Sequence, residues 1–300
     1  MTQAVCLIVN PAAGRGGIRA SLPRILATFA AHGVARVYET SNPGEEESLA
    51  SSAISDGARV IVAIGGDGTC ANVAAAIIRA HTACALAVVP GGTGNDFAKT
   101  LGVADHSPER IAALVAEGET TEIDVGFAEG RCFLNSCGFG FDASVLEASN
   151  RVRFLKGKAV YIYSALKQLF TYPGVYASSS GKPVTKRGRM LMLTVSNGRS
   201  LGGAFKIAPH ASVLDGKLDA CFFGDANVLN RAKMFVGALK GRHVDMPGVL
   251  AATTERLELR FDFNPAMEVD GELRIATSRT VEVKCIPRAL AVIAAPGALA

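Results

Sequence analysis

Residues 58–69 read ARVIVAIGGDGT, an apolar run that ends in a glycine-rich turn around one carboxylate, that of Asp67. The run is continuous rather than alternating, which is typical of a strand buried on both faces of a parallel sheet. A glycine-rich turn after such a strand usually binds phosphate through backbone N–H groups. A carboxylate would repel bare phosphate. Its presence therefore indicates either a bridging metal ion or a hydroxyl group that is about to be phosphorylated.

The same order of strand, turn and helix repeats on both sides of this stretch. Apolar runs at 4–10, 34–40 and 85–90 predict further strands, and helical patterns follow each of them. Strands that alternate with helices at this spacing predict an α/β fold with a Rossmann-like parallel sheet. Two more glycine turns, NPAAGRGG (10–17) and PGGTGND (90–96), end the first and fourth of these strands.

Ligands of open α/β sheets bind at the carboxyl ends of the strands, so all three glycine turns point to one crevice. None contains the GK[ST] of a P-loop, and none is a regular dinucleotide-binding GxGxxG. Phosphoryl transfer needs positioned metal, neutralised charge and a base. The carboxylates that could supply these parts are Asp67, Asp96, Asp124, Asp270 and Glu272. Each has a structural alternative, namely a turn-stabilising bond, a strand-end cap or a hairpin turn.

The character of the chain changes near residue 124. Later segments predict closely spaced strands, among them FKIAP (205–209) and AMEVDGELRIA (266–276), together with helices at 156–173 and 227–241. The segment 176–188 reads as a loop or a hairpin connection. We therefore predict an α/β domain over residues 1–124 and a β-rich domain over residues 125–285.

Composition limits the classes of function. The 300 residues are 49% apolar and 19% charged, with a net charge of +4, which is typical of a globular chain and too mild for a nucleic-acid partner. Seven scattered cysteines without a CxxC pair favour reduced thiols in the cytoplasm. We expect no signal peptide and no transmembrane helix.

The motifs GGDGT, PGGTGNDFA, DVGF, DGKLD and DGE, in this order and spacing, resemble the diacylglycerol kinase catalytic-domain family of lipid kinases. The resemblance extends over about residues 5–290 and includes the bacterial, YegS-like members. It implies an N-terminal nucleotide-binding domain, a C-terminal lipid-binding β-sandwich, and ATP and Mg²⁺ as cofactors. It also implies that residues 286–300 return to the first domain.

The resemblance assigns roles to individual residues. Glu272 would be the general base with Asp270 beside it, and Asp67, Asp96 and Asp124 would form the network around a magnesium ion. A second, structural magnesium would lie on the Asp215 side chain and the carbonyls of Ser212 and Lys217. The residues that would contact ATP are Asn10, Pro11, Ala12, Ala13, Gly14, Thr40, Gly66, Asp67, Gly68, Thr69, Cys70, Ala71, Asn72 and Thr93.

The chain departs from the family directly after GGDGT. Family members commonly continue with Leu-Asn-Glu, whereas this chain continues with Cys70-Ala71-Asn72. We expect a hydrogen bond of the family's Asn or Glu to be lost or moved to Asn72, with an effect on nucleotide orientation.

A lipid kinase must reach a bilayer, and residues 151–170 combine basic with aromatic residues in a helical pattern typical of interfacial contact. A core helix is the alternative there, and a solvated loop is the alternative for the basic stretch 182–189. We expect a cytoplasmic protein with weak peripheral contact at the inner membrane surface. A homodimer through an exposed sheet edge is compatible with the sequence, although no residue indicates one. The alternative functions are an NAD kinase and a non-catalytic nucleotide-binding regulator.

Overall fold

The computed structural model describes residues 5–34, 36–152, 158–180 and 185–299. The chain divides into two compact units. The first unit is Met1–Ile123 with Arg288–Ala300, and the second is Asp124–Pro287.

A parallel sheet forms the centre of the first unit, in the order β2-β1-β3-β4 followed by the end of β15. Its two middle strands are almost wholly buried because their apolar runs are covered on both faces. Ala291 and Val292 pair with the first residues of β4. The strands are β1 (Val5–Val9), β2 (Arg36–Glu39), β3 (Val60–Gly65), β4 (Ala85–Pro90) and β15 (Thr280–Val292).

Helices connect these strands. The sequence 18–33 has the pattern of one helix but forms two, because Pro23 favours the first turn of a new helix and Ser21 separates it from the preceding 3₁₀ turns. Helix α5 was not predicted, and it begins at a Ser107 cap that accepts a hydrogen bond from the Arg110 N–H. The helices are the 3₁₀ segment Ala13–Ala20, α1 (Leu22–Ala31), α2 (Glu46–Ser55), α3 (Asp67–Ala80), α4 (Asp96–Thr100) and α5 (Pro108–Glu117).

Antiparallel strands dominate the second unit. The long β9 pairs with β7, β8 and β10, and the core between the strands contains Phe139, Leu193, Phe222 and Leu259. The strands are β5 (Thr121–Ala128), which begins in the first unit, β6 (Arg131–Phe133), β7 (Ser136–Gly140), β8 (Val175–Ser180), β9 (Lys186–Ser196), β10 (Leu218–Gly224), β11 (Val249–Thr254), β12 (Arg256–Phe261), β13 (Ala266–Val269), β14 (Glu272–Ile275) and β15.

Three helices pack over a second apolar core of this unit, which includes Leu169, Phe223 and Met234. Among the residues described, no helix combines the length and the apolar character that crossing a bilayer requires. The helices are α6 (Phe141–Arg151), α7 (Lys158–Thr171), α8 (Val228–Leu239) and the 3₁₀ segment Arg242–Asp245.

Three segments of the second unit for which the sequence predicts strands or a loop are FKIAP, AMEVDGELRIA and residues 176–188. FKIAP is not a strand, because its apolar residues Phe205 and Ile207 pack into the helical core and only an isolated bridge joins Leu201 to Phe205. AMEVDGELRIA is a hairpin of two strands, with the turn at the Asp-Gly pair that the sequence indicates. Residues 176–188 lie in a hairpin of β8 and β9, with 181–184 outside the described residues. Helix α6 and strand β11 were not predicted.

Candidate active site

The three glycine turns of the first unit pack against one another. A Cβ on Gly92 would lie 2.6 Å from the Gly66 Cα, and one on Gly14 would lie 2.6 Å from the Gly91 carbonyl oxygen. The Gly91 N–H donates to the Gly65 carbonyl at 2.7 Å. Real Cβ atoms do not approach other atoms so closely, so these contacts require glycine. The backbones of the three segments therefore approach one another closely, which suits a site for a phosphate chain.

Helix α3 starts within this group of turns. Gly66 is extended, with φ −96° and ψ −171°, and the helix begins at the next residue. The first N–H groups of a helix have no partner within the helix and carry the positive end of its dipole. Together with the glycine contacts, this helix end fits the phosphates of ATP.

Asp67 connects two of the turns. Its Oδ1 accepts a hydrogen bond from the Phe97 N–H at 2.9 Å, at the start of α4. Burial and the nearby Asp96 carboxylate raise the pKa of Asp67, although the Phe97 and Asp96 N–H groups and Lys99 oppose the shift. Asp96 forms an ion pair with Lys99 at 2.7 Å. Two carboxylates that repel each other beside a phosphate site are a donor set that suits a hard cation such as Mg²⁺.

The described residues contain no group of three or more Asp, Glu, His or Cys side chains arranged around a common metal position. A magnesium ion at Asp67 and Asp96 would therefore need oxygens from outside the side chains. This agrees with the way Mg²⁺ binds in kinases, through one or two carboxylates, water and substrate phosphates.

Burial limits what the other predicted ATP contacts can do with their side chains. Cys70 is 1% exposed and Thr69 is 3% exposed, so any contact of Cys70 with a nucleotide would come from its backbone. Pro11, Ala13 and Thr40 are also buried. The predicted residues that are partly or fully exposed are Asn10, Ala12, Gly14, Gly66, Asp67, Gly68, Ala71, Asn72 and Thr93.

The sequence reasoning overlooked Glu46, a buried carboxylate on α2. Asn72 donates a hydrogen bond to it at 3.2 Å, which gives the departure at Cys70-Ala71-Asn72 a defined structural partner. Residues 45–47 are three consecutive glutamates, and nothing in the sequence distinguishes the buried one from its neighbours.

In the second unit, the predicted Asp270 lies in the turn between β13 and β14, and the predicted Glu272 is the first residue of β14. The Asp270 carboxylate accepts three backbone hydrogen bonds, from Leu134 at 2.6 Å, Asn135 at 2.8 Å and Ser136 at 3.1 Å. Asp270 has a φ of +46° and is 5% exposed. A buried carboxylate that is held by three backbone N–H groups has little freedom to reach a substrate hydroxyl.

Glu272 differs from Asp270 in both exposure and partners. Its side chain is 42% exposed and forms an ion pair with Arg274. A carboxylate that reaches solvent and is paired with a partly exposed arginine can contact a substrate hydroxyl. The geometry therefore favours Glu272 over Asp270 as the residue with access to a proton, and Asp270 as the residue that fixes the turn.

Glu268 and Asp142 form a buried carboxyl pair beneath this turn. They are 2% and 1% exposed, and Glu268 accepts a hydrogen bond from the Gly271 N–H. Burial, then the charge of the nearby Asp142 carboxylate, raises the pKa of Glu268 well above its usual range, although the Gly271 N–H opposes the shift. Both causes favour the protonated form of Glu268.

The pair predicts a pH effect on stability. Because the pKa of Glu268 is higher in the folded than in the unfolded chain, its stabilising effect is complete below the unfolded value and is lost as pH rises through the folded value. Glu268→Gln keeps the shape of the protonated form and loses no proton. We expect its Tm to exceed that of wild type at pH 9 by about 2–4 °C, with near equality at pH 5. Equal pH slopes for both proteins, with exposed Glu258→Gln as control, would contradict this.

Asp124 belongs to the second unit, where it is hydrogen-bonded to the turn around Asp215 that is predicted to hold the structural magnesium. Its Oδ2 accepts from the Gly216 N–H at 2.6 Å, and it is 1% exposed. Asp215 is exposed and accepts from the Lys217 N–H at 2.9 Å, while Ser212 Oγ accepts from the Leu214 N–H at 3.3 Å. The structure thus brings Asp124 together with the Asp215 turn. The membership of Asp124 in the network of Asp67 and Asp96 stays a prediction.

The second unit contains an apolar cavity that is partly open to solvent. Helices α7 and α8 form walls, and the buried Asp142 carboxyl is one of the polar groups that line it. Gly138 leaves the room for this side chain, since a Cβ there would lie 2.0 Å from Asp142 Oδ2. An apolar cavity with few polar groups is typical of a site for an apolar ligand. Its lining includes Phe141, Leu169, Leu191, Met192, Phe205 and Met234.

Comparison with known proteins identifies both halves of the chain. Residues 4–128 match the diacylglycerol kinase catalytic domain. Residues 135–294 match the YegS C-terminal domain, which is described as NAD kinase β-sandwich-like. The predicted fold class, a Rossmann-like α/β domain followed by a β-sandwich domain, is thereby confirmed.

Individual relatives agree with the family match. A diacylglycerol kinase of Bacillus subtilis is 26% identical over 89% of this chain and 88% of its own. A YegS-like protein of Pseudomonas putida, described as a probable lipid kinase, is 31% identical over 76% of this chain and 78% of its own. The crystal structure of a diacylglycerol kinase from Bacillus anthracis has the same fold, with a TM-score of 0.76, 21% identity and coverage of 99% and 98%.

Proposed function

Because the chain belongs to the diacylglycerol kinase catalytic-domain family and is a lipid kinase of the YegS type, we propose that it transfers the γ-phosphoryl group of ATP to a lipid hydroxyl. The proposed cofactor is Mg²⁺, and the proposed acceptor is diacylglycerol or a related lipid. The apolar cavity of the second unit is the observation that supports a lipid as the phosphate acceptor. Its lining suits acyl chains and is unsuited to NAD, whose two nucleotides are polar.

The glycine turns and the start of α3 support the proposal for ATP. Backbone N–H groups there would bind the phosphates, and Asp67 with Asp96 would hold Mg²⁺. When bound, the metal neutralises the charge of the transferring phosphoryl group. The chain's own contribution is to fix the turns, through glycine contacts and the Asp67 bond to the Phe97 N–H.

Glu272 is the residue we propose as general base for the acceptor hydroxyl. It would take the hydroxyl proton as the oxygen attacks phosphorus. Asp270 keeps the turn in place through its three backbone donors. At the Asp215 turn, the exposed carboxylate and the carbonyls of Ser212 and Lys217 could hold the second, structural magnesium, since oxygen donors of this kind suit hard cations.

Phosphate transfer from γ-labelled ATP tests the function directly. Purified protein is given diacylglycerol, a sphingoid base, ceramide and phosphatidylglycerol in mixed micelles, with NAD as a parallel acceptor, and each reaction is repeated with EDTA. Label in a lipid that disappears with EDTA is the expected result. Label in NAD, or no label in any lipid while ATP still binds, would contradict the lipid kinase proposal.

We further propose that α7 and α8 contact an anionic bilayer. Tyr163, Leu166 and Phe170 form one exposed apolar stripe on α7, and Leu229 and Val236 form another on α8, with exposed fractions between 41% and 69%. Neither helix contains Asp or Glu, and Lys167, Lys233 and Lys240 are exposed.

The opposite faces of the same helices line the cavity. A surface helix that is apolar on both sides and basic at its edge is suited to a membrane interface. The predicted contact residues at 153–157 lie outside the described residues.

Vesicle sedimentation checks this surface. We expect the double variant Phe170→Ser/Leu229→Ser to lose about tenfold in affinity for vesicles of phosphatidylglycerol and phosphatidylcholine, because two large apolar side chains no longer enter the interface. Activity on a short-chain, water-soluble lipid should be unchanged. Phe263, 57% exposed elsewhere in the second unit, provides the control Phe263→Ser. Equal loss in the control and the double variant would contradict the assignment.

A further inference from the structure

The buried carboxylate of Glu46 lies among residues assigned to the nucleotide. Glu46 is in the first turn of α2 and is 2% exposed, although its neighbours Glu45 and Glu47 reach solvent. Burying a carboxylate is costly unless hydrogen bonds compensate. Its retention in the interior of the first unit therefore calls for a specific set of partners.

Three donors from two different segments supply these bonds. Asn10 Nδ2 donates to Oε1 at 2.9 Å, the Thr69 hydroxyl donates to the same oxygen at 3.2 Å, and Asn72 Nδ2 donates to Oε2 at 3.2 Å. Asn10 opens the first glycine turn, and Thr69 and Asn72 lie in the first two turns of α3. One carboxylate thus joins two of the segments that form the phosphate site.

The carboxylate also determines the orientation of Asn10. An amide must present its nitrogen to an acceptor and its oxygen to a donor. Because Nδ2 faces Glu46, Oδ1 faces the other way and accepts from the Ala12 N–H at 3.0 Å, which closes the turn of residues 10–13. A neutral or donating group at position 46 would remove the reason for this orientation.

The bond between Glu46 and Asn72 joins two helices. The carboxylate comes from α2 and the amide from α3. A buried negative charge next to the start of α3 is thus supplied by a different helix.

We propose that Glu46 is a positioning residue for the nucleotide: it holds Asn10, Thr69 and Asn72 so that the first glycine turn and α3 present one preformed phosphate site. The inference rests on the proposed use of ATP. It assigns to Glu46 an effect on nucleotide binding and not on the chemical step or the lipid.

Glu46→Gln is the decisive variant. Glutamine keeps the volume of the side chain but removes the negative charge and leaves one acceptor oxygen in place of two, so the three charge-assisted bonds weaken and the Asn72 amide must turn over to keep a partner. We expect the KM for ATP and the calorimetric Kd for ATP both to rise about tenfold, the change that loss of one charged hydrogen bond produces. The kcat should stay within about threefold, and the KM for the lipid should be unchanged. Glu47→Gln, one residue along the same helix and paired with Arg79, is the matched control with no expected change.

The possible outcomes separate this inference from the proposed function. An unchanged Kd for ATP in Glu46→Gln overturns the inference, and so does loss of the folded state or a fall in kcat with constant KM. If wild type binds ATP but phosphorylates no lipid, the proposed function fails while the calorimetric comparison still tests Glu46. Wild-type protein that binds no ATP overturns both.

Discussion

Glu272→Gln is expected to lower kcat by about 10²–10⁴-fold, the usual contribution of a general base, while the Kd for ATP and the Tm stay near those of wild type. The side chain is 42% exposed and its bond with Arg274 is a surface ion pair, which contributes little to stability. The loss should therefore fall on the chemical step. Single-turnover kinetics with saturating ATP and lipid measure it.

Two variants control this experiment. Glu282→Gln removes another partly exposed carboxylate paired with an arginine, here Arg256, and should leave kcat unchanged. Asp270→Asn weakens a carboxylate that accepts three backbone bonds and should lower Tm as well as activity. A Glu272→Gln enzyme with near wild-type kcat, or one whose activity falls only in proportion to its stability, would contradict the role of Glu272 as base.

Asp67→Asn is expected to lower kcat/KM for ATP by about 10²-fold and to raise the Mg²⁺ concentration needed for half-maximal activity. Asparagine retains an Oδ1 that can accept the Phe97 N–H bond, so the connection between the two turns survives while the charge is lost. The fold should remain intact, with a Tm change of a few degrees at most. Magnesium titrations of initial rate, with circular dichroism for folding, measure both effects.

The matched control is Asp105→Asn, which removes an exposed carboxylate from the same unit. Asp67→Ala removes the acceptor as well as the charge and should cost about 1 kcal/mol of stability beyond Asp67→Asn, the usual value of a lost helix cap. Unchanged Mg²⁺ dependence in Asp67→Asn would assign Asp67 to the connection between turns and contradict its role toward the metal.

The first unit was more predictable from sequence than the second, for a physical reason. Its strands are continuous apolar runs that end in glycine turns, so pattern and turn chemistry agree at each boundary. In the second unit, Phe205 and Ile207 carry the alternation of a strand yet fill a helical core. Helix α6 follows directly on β7 at Gly140, and the apolar residues of GFGFDA read as an extension of the strand.

The candidate site was predictable in its motifs but not in its connections. The glycine turns and Asp67 stand out in the sequence because of their composition. Glu46 and Asp142 do not stand out, because the sequence does not show whether a single acidic residue is solvated or buried. Asp270 is held in place and Glu272 is not, because backbone N–H groups at residues 134–136 donate to Asp270. These donors lie more than a hundred positions away in the chain, so the sequence near the turn does not reveal them.

The contacts between the glycine turns also have a consequence for the life of the protein in the cell. Gly14 and Gly91 are 77 positions apart and touch only when the first unit is folded, so an unfolded chain has no phosphate site to offer. A ligand that binds the native state alone stabilises it by mass action, by about 2.7 kcal/mol at a hundredfold excess over its Kd. Nucleotide supply would then govern the protein's lifetime as well as its rate, and depletion of ATP would leave more of the chain open to proteolysis.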